Sequence, residues 1–133
     1  MAIFFRIGFV FIATPRLKGF FSHWHFQIER DFLTSSNTIS TCAFYIILLA
    51  RAKGLKVGLL RPITLYPFPT KQIAELAKRV KGMLCVEMSA GQMIEDVKLA
   101  AECKIPIEHY GRFGGIIPTP EEVLEAMENK IIK

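Results

Sequence analysis

Short apolar runs alternate with amphipathic segments in the second half of the chain. The runs have the length and residue types of strands buried on both faces, and they cover residues 55–61, 83–88 and 105–110. Each is followed by a segment whose apolar residues recur at helical spacing. Because strand and helix alternate, the pattern predicts an α/β fold with right-handed crossovers and a mostly parallel sheet.

Capping residues set the expected ends of these helices. In a capping box, a Ser or Thr side chain bonds the backbone three residues on, where a Glu or Gln bonds back. The expected starts are Thr70, Ser89 with Gln92, and Thr119 with Glu122 and the first-turn proline Pro120. Gly82 is expected to end the first of these helices, and the second is expected to run from about 90 to 103.

The first half of the chain has a weaker pattern. Residues 38–53 predict an apolar helix that ends at Gly54. Residues 23–29 (HWHFQIE) alternate apolar and polar side chains, as in a strand with one solvated face. Residues 1–13 (MAIFFRIGFVFIA) are expected to form another strand or an aggregation-prone arm, and their apolar stretch is too short to span a bilayer.

The chain is basic, with a formal net charge of +5 and a pI near 9.3. No dense run of Lys and Arg, and no basic stripe interleaved with aromatic residues, follows residue 54. We therefore interpret the lysines as solvated surface charge and expect no nucleic-acid or membrane partner.

The cysteines Cys42, Cys85 and Cys103 are odd in number, widely spaced and embedded in apolar stretches. This usage is typical of buried thiols in a reducing compartment, and we expect a cytoplasmic protein. No CxxC pair is present, so the sequence does not predict an iron–sulfur or structural zinc site held by this chain alone.

Glu87 is the first candidate for chemistry, because it ends a predicted strand just before a helix start. Open α/β sheets place their ligands in this region. The pattern nevertheless favours a structural role, in which Ser89 and Gln92 begin the helix, Gly91 permits close packing and Glu87 meets a basic neighbour.

The other candidates have structural interpretations too. The GRFGG segment at 111–115 lacks the glycine spacings of phosphate-binding loops, which favours a tight turn with positive φ at Gly114 or Gly115. Arg112 could bind a carboxylate or phosphate of a partner molecule. His23 and His25 could begin a metal site, but no third ligand is placed by the sequence, and an exposed strand face is favoured. A structural role is also favoured for His109.

Three segments carry a family resemblance, and they read KGLKVGLLRPITLYPFP, VEMSAGQMIEDVKLAAE and HYGRFGGIIPTPEEVLEAM. Over roughly residues 51–131 they resemble, in order and spacing, the carboxyl-terminal domain of the α subunit of 2-oxoacid:ferredoxin oxidoreductases. The resemblance is to the 2-oxoglutarate or ketoisovalerate type. It implies a transketolase C-terminal-like domain, which is a three-layer α/β/α sandwich.

The resemblance also implies a function. The parent enzyme would decarboxylate a 2-oxoacid on thiamine diphosphate, reduce ferredoxin through iron–sulfur clusters and transfer the acyl group to coenzyme A. The partner β subunit would hold the diphosphate and magnesium, while this domain would support contacts with the β and γ subunits. We therefore expect this chain to bind no cofactor by itself, to supply no catalytic residue, to be inactive alone and to self-associate without its partners.

The residues that we assign to subunit contacts or local structural motifs are Arg61, Pro62, Glu87, Ser89, Gly91, Gln92, Arg112, Gly114 and Gly115. Residues 36–133 are expected to form the α/β domain, whereas residues 1–35 resemble the family poorly. A truncated or frameshifted reading frame would explain this basic, aromatic-rich segment, because a thiamine-associated domain normally comes before this one.

Two other interpretations stay open. The chain could be a stand-alone Rossmann-like or flavodoxin-like module that binds an anionic ligand through Arg61, Arg112 and the helix starts at Ser89 and Thr119. It could also be a small membrane-surface protein that uses its apolar amino terminus.

Overall fold

A computed structural model describes residues 8–13, 38–62, 66–114 and 116–132. Within these residues, strands alternate with helices as the sequence predicts from residue 55 onward. The elements are β1 (Gly8–Ala13), α1 (Thr38–Ala52), β2 (Val57–Leu60), α2 (Thr70–Ala77), β3 (Gly82–Glu87), α3 (Met93–Ala100), β4 (Ile107–Gly111) and α4 (Pro120–Lys130). None of the described helices is long and apolar enough to cross a membrane.

The described strands form one sheet in the order β2-β1-β3-β4. β3 and β4 are parallel neighbours, with Met83 opposite Ile107. β1 is antiparallel to both of its neighbours, and Val10 lies opposite Leu60 on one side and Cys85 on the other. β2, β3 and β4 therefore share one direction, which confirms the α/β fold, and the described sheet is mixed because β1 pairs antiparallel with β2 and β3. β1, the strand expected in the amino-terminal segment, lies between β2 and β3 and runs in the opposite direction.

Helices cover both faces of this sheet and complete three layers. α2 and α3 pack on one face, where Ile73 and Val97 are fully buried with Met83 and Cys85 of β3. α1 and α4 pack on the other face, against Leu84 and Val86 of the same strand. Because successive side chains of a strand point to opposite faces, a strand covered on both sides must be apolar throughout. This explains the unbroken run MLCV at 83–86.

Two predicted helix ends are confirmed. α4 begins with the predicted capping box of Thr119 and Glu122, with Pro120 in its first turn. α1 ends where predicted, since Gly54 adopts a positive φ of 80° and its amide bonds the carbonyl of Arg51.

The predicted ends of α2 are wrong at both termini. Thr70 is the first helical residue and not the cap, because Pro69 occupies the capping position and provides no side-chain hydrogen bond. Gly82 does not end this helix, because α2 stops at Ala77 and Gly82 already belongs to β3.

Several predictions fall on residues outside the described ranges. They concern the strand at 23–29 with His23 and His25, and the turn glycine Gly115. The boundary near residue 35 also stays a prediction, although β1 pairs with strands of the same sheet.

Candidate functional site

The carboxylate of Glu87 lies at the carboxyl edge of the sheet and is only 3% exposed. Its Oε2 accepts hydrogen bonds from the backbone amides of Gln92 (3.1 Å) and Met93 (2.9 Å), and Oε1 accepts one from Ile94 (3.2 Å). The hydroxyl of Ser89 donates a fourth, to Oε2 at 2.6 Å. The first amides of a helix have no partner within the helix. Glu87 supplies that partner from the preceding strand, and so it caps α3.

This arrangement replaces the capping box predicted for Ser89 and Gln92, and that prediction is wrong. Gln92 is itself the N-cap residue, has helical backbone angles and makes no side-chain capping bond. The helix begins at Met93, three residues later than expected, and ends at Ala100. A buried carboxylate is a stronger acceptor than a neutral hydroxyl and also interacts favourably with the helix dipole. It therefore takes the amides that Ser89 would have bonded.

The surroundings of Glu87 keep it ionised. Burial alone would raise its pKa, but the hydrogen bonds from Ser89, Met93 and Ile94, together with nearby His109, hold the pKa below its usual value. The neighbouring thiol of Cys85 has the opposite shift: burial, followed by the charge and hydrogen bond of Glu87, raises its pKa strongly. At neutral pH the pair is therefore a carboxylate beside a protonated thiol. Neither group is suited to donate a proton or to attack a substrate.

His109 completes this cluster from the next strand. It lies opposite Cys85 in the β3–β4 pairing, and its Nε2 is 3.5 Å from Oε1 of Glu87. That separation is too long for an N–H···O hydrogen bond, and the buried Nε2 has no hydrogen-bond partner among the described residues. Sequence reasoning did not bring His109 and Glu87 together. The available signal was that both lie near the ends of successive parallel strands.

Gly111 makes room for the imidazole ring, and Gly91 lies beside that ring. A Cβ on Gly111 would lie 2.6 Å from the backbone oxygen of Glu87 and 2.8 Å from the ring of His109. Gly91 has a φ of 97°, and a Cβ there would lie 3.7 Å from the same ring. That distance is an ordinary van der Waals contact, and Ile94 is nearer at 3.4 Å, so glycine is favoured at 91 by its positive φ rather than by close packing.

Arg112 lies in the loop after β4 and forms an ion pair with Glu122 of the same chain. The other oxygen of Glu122 accepts from the amide of Thr119 at 2.9 Å. The carboxylate that Arg112 binds is thus the one that closes the capping box of α4. Gly114 has the predicted positive φ, 80°. Arg61 and Pro62 follow β2 at the same edge, but β1 separates that strand from β3.

Large apolar side chains are exposed in the loops at this edge. In the loop after β4, Phe113 is 70%, Ile116 is 55% and Ile117 is 46% exposed, and Tyr66 in the loop after β2 is 96% exposed. We refer to these four residues as the carboxyl-edge apolar surface. Three of them belong to one loop, and clustered exposed apolar groups mark interaction sites.

The starts of α3 and α4 offer no open amides to an anionic cofactor. The amides at the start of α3 are bonded to Glu87, and α4 begins with a closed capping box and a proline. Within the described ranges, no three His, Cys, Asp or Glu side chains lie together as metal ligands. Cys42 lies on α1, across the sheet from buried Cys85. Cys103 is exposed, contrary to the expectation that all three thiols are buried. The described residues therefore supply neither three clustered ligands for a metal centre nor open amides at the starts of α3 and α4 for a diphosphate.

Comparison with known proteins gives a consistent result. Residues 32–123 match the family described as pyruvate:ferredoxin oxidoreductase core domain II. The chain is 51% identical over 75 residues to the ketoisovalerate oxidoreductase subunit VorB of Methanothermobacter marburgensis, covering 56% of this chain and 21% of that protein. It is 36% identical over 84 residues to the 2-oxoglutarate synthase subunit KorA of the same organism, covering 63% and 21%. The KorA subunit of Archaeoglobus fulgidus is 30% identical over 83 residues, covering 62% and 23%.

No solved structure matches the chain. The chain spans about a fifth of the length of the curated relatives it matches. The resemblance predicted from the sequence, to a domain of 2-oxoacid:ferredoxin oxidoreductase subunits of the ketoisovalerate or 2-oxoglutarate type, is confirmed. The matched region covers most of the chain, and the chain therefore belongs to the pyruvate:ferredoxin oxidoreductase core domain II family.

Proposed function

We propose that this chain acts as the core domain II of an α-type subunit in a thiamine-diphosphate-dependent 2-oxoacid:ferredoxin oxidoreductase. The complex would convert a 2-oxoacid to acyl-coenzyme A and reduce ferredoxin. The observation that carries the proposal is the family match over residues 32–123. Identity is higher with the ketoisovalerate relative, 51%, than with the 2-oxoglutarate relative, 36%, which supports a branched-chain substrate.

Within that complex, the domain would serve subunit assembly rather than catalysis. Both carboxylate oxygens of Glu87 accept hydrogen bonds that cap α3, and the adjacent Cys85 is buried and protonated. Arg112 is paired within the chain. Glu87 and Arg112, which the sequence singled out near the ends of β3 and β4, thus each have a partner within the chain, which supports an architectural role.

The contact face would be the carboxyl-edge apolar surface. Fully burying a side chain such as Phe113 or Ile117 contributes about 1.5–3 kcal/mol, so the four exposed residues could stabilise a subunit contact substantially. The β and γ subunits are the proposed partners, and ferredoxin would be reached through the complex. The chain alone would self-associate through this face.

The cofactors would be held elsewhere in the complex. Thiamine diphosphate, magnesium, iron–sulfur clusters and coenzyme A would supply decarboxylation, electron transfer and acyl acceptance. The proposed contribution of this chain is to position the subunits that bind them.

Co-purification with candidate β and γ subunits from the same genome tests the proposal. The complex would then be assayed for coenzyme-A-dependent dye reduction with ketoisovalerate and 2-oxoglutarate separately. We expect a stable complex, and turnover in the assay would support a role of the chain as one of its subunits. A wild-type chain that stays monomeric and retains neither subunit would contradict an assembly role.

A matched pair of substitutions tests the proposed face. Phe113→Ser removes an apolar side chain that is 70% exposed at the carboxyl edge, whereas Leu99→Ser removes one that is 77% exposed in the last turn of α3. We expect the first to weaken subunit retention about tenfold or more. The second should leave retention unchanged, and equal effects of the two would place the contact elsewhere.

A further inference from the structure

The imidazole of His109 holds a buried polar atom that makes no hydrogen bond. Its Nε2 has no partner among the described residues and lies 3.5 Å from Oε1 of Glu87. Buried nitrogen atoms in native proteins are nearly always hydrogen-bonded, and an exception calls for a physical explanation. The protonation state of the ring provides one.

The carboxylate of Glu87 decides which state of the ring fits this position. An ionised carboxylate only accepts hydrogen bonds, so an Nε2 without a proton would direct its lone pair at an oxygen lone pair. An Nε2 that carries a proton would instead donate to Oε1 once the two atoms move about 0.5 Å closer. The side chain of His109 is 29% exposed, so water can reach the ring and exchange protons with it.

β3 supplies the negative charge beside the ring. Glu87 stays ionised there because Ser89 and the amides at the start of α3 bond its carboxylate. Cys85 lies opposite His109 in the strand pairing and is neutral, because burial and the charge of Glu87 raise the pKa of its thiol. On β4 itself, Glu108 points to the opposite face, because successive side chains of a strand alternate. The ring therefore faces one negative charge from the sheet.

The two helices that pack against β4, α3 and α4, add charges of both signs. α3 begins with the exposed acidic residues Glu95 and Asp96, which favour a positive charge on the ring. On α4, Lys130 opposes it, because its ammonium group lies 2.6 Å from the backbone oxygen of His109. Among the described residues, Glu87 is the charged group at ion-pair distance from the imidazole. The remaining charges near the end of β4 are Arg112 and Glu122, which are paired with each other.

We propose that His109 is a proton-dependent latch between the end of β4 and the start of α3. When the ring is protonated, its Nε2 donates to Oε1 of Glu87, and this ion pair ties the two elements together. When the ring loses a proton to water, the charge is lost and the contact weakens. β4 leads directly into the loop of Phe113, so the latch would also hold the base of that loop.

The latch has a definite pH dependence. Histidine is the side chain that changes its charge between about pH 5 and pH 8. Because the protonated ring gains a partner on folding, its contribution to stability is present at the acid end of this range and is lost as the pH rises. At still lower pH, Glu87 itself takes up a proton and the latch is lost again. A ring that only fills the space beside Gly111 would show no such dependence.

Thermal unfolding of the full chain, followed by circular dichroism at pH 8 and at pH 6, tests this dependence. His109→Gln removes the titrating ring and keeps a neutral hydrogen-bond donor. The double variant His23→Gln, His25→Gln is the matched control, because it removes the two other histidines of the chain. The quantity compared is the change in melting temperature between the two pH values.

We expect the melting temperature of the wild type to rise, relative to that of His109→Gln, by about 3 °C between pH 8 and pH 6. The double variant should follow the wild type within about 1 °C. When Glu87→Gln is already present, adding His109→Gln should leave the pH dependence unchanged, because the partner carboxylate is absent.

Equal pH dependence of the wild type and His109→Gln would overturn the proposal. A loss of the same size in the control variant, or an undiminished effect of His109→Gln alongside Glu87→Gln, would do the same. If a variant fails to fold, NMR of the wild-type ring decides: a slowly exchanging Nε2 proton at pH 6 supports the latch, and its absence contradicts it.

The inference goes beyond the proposed function and does not rest on it, because the latch is measured on the isolated chain. Subunit co-purification is scored separately, so failure of the assembly proposal would not be confused with failure of this one.

Discussion

Replacing Glu87 with Gln removes a buried charge while it keeps the shape of the side chain. In the wild-type chain, this carboxylate accepts hydrogen bonds from the Ser89 hydroxyl and from the amides of Gln92, Met93 and Ile94. The substituted side-chain amide would retain one acceptor oxygen, and its NH₂ group would face a backbone N–H. At least one donor at the start of α3 would then lose its partner.

The expected cost follows from these contacts. A hydrogen bond to a charged group contributes about 1.5–3 kcal/mol, and a buried donor left without a partner costs about 1–3 kcal/mol. Loss of the charge beside a helix N-terminus adds about 0.3–2 kcal/mol. Because these terms overlap, we expect Glu87→Gln to lower the free energy of unfolding by about 3 kcal/mol at pH 7, a large fraction of the roughly 5–15 kcal/mol typical of a domain.

The effect should depend on pH with a definite sign. The pKa of Glu87 is lower in the folded protein than in the unfolded chain, where it is about 4.3. Its stabilising contribution is therefore fully present above about pH 4.3 and is lost as the pH falls through the lower, folded-state pKa. The Gln variant cannot be protonated in this way, so the difference between the two proteins should shrink in acid.

Urea unfolding followed by circular dichroism, at pH 7 and at steps below pH 4.5, measures both quantities. Glu108→Gln is the matched control, because it removes an exposed carboxylate from β4 and should change stability by less than about 0.5 kcal/mol. If Glu87→Gln is as stable as this control at pH 7, the carboxylate does not hold the start of α3 and the capping interpretation is wrong.

Three further predictions follow from the same geometry. Gly111→Ala should lower stability by about 1–3 kcal/mol in urea unfolding, because its Cβ would meet backbone at 2.6 Å; an unchanged midpoint would show that β4 can shift. Thr119→Ala should cost about 1 kcal/mol by removing the cap of α4, and no change in melting temperature would contradict this. In the native chain, iodoacetamide should modify exposed Cys103 far faster than buried Cys85, because burial raises the pKa of the Cys85 thiol. Mass spectrometry of tryptic peptides measures the order, and faster modification of Cys85 would contradict the prediction.

Local signals in the sequence determined much of this fold. The apolar run at 83–86 predicts a strand buried on both faces because side-chain alternation leaves it no solvated side. The capping box of Thr119 and Glu122 forms as predicted because it needs only two residues three positions apart in the sequence. Family membership is also predictable, because the order and spacing of three segments survive in this chain.

Tertiary structure alone decided the features that depend on residues distant in sequence. The cap of α3 comes from Glu87 at the end of a strand, whereas the local pattern assigned it to Ser89. A capping pattern in the sequence cannot reveal a stronger acceptor that lies on another element. The insertion of β1 between β2 and β3 is likewise invisible locally, since strand pairing is chosen by long-range packing. The lysines of the helix-to-strand connections lie at one edge for a related reason, because strands that run in the same direction place these connections at the same end of the sheet.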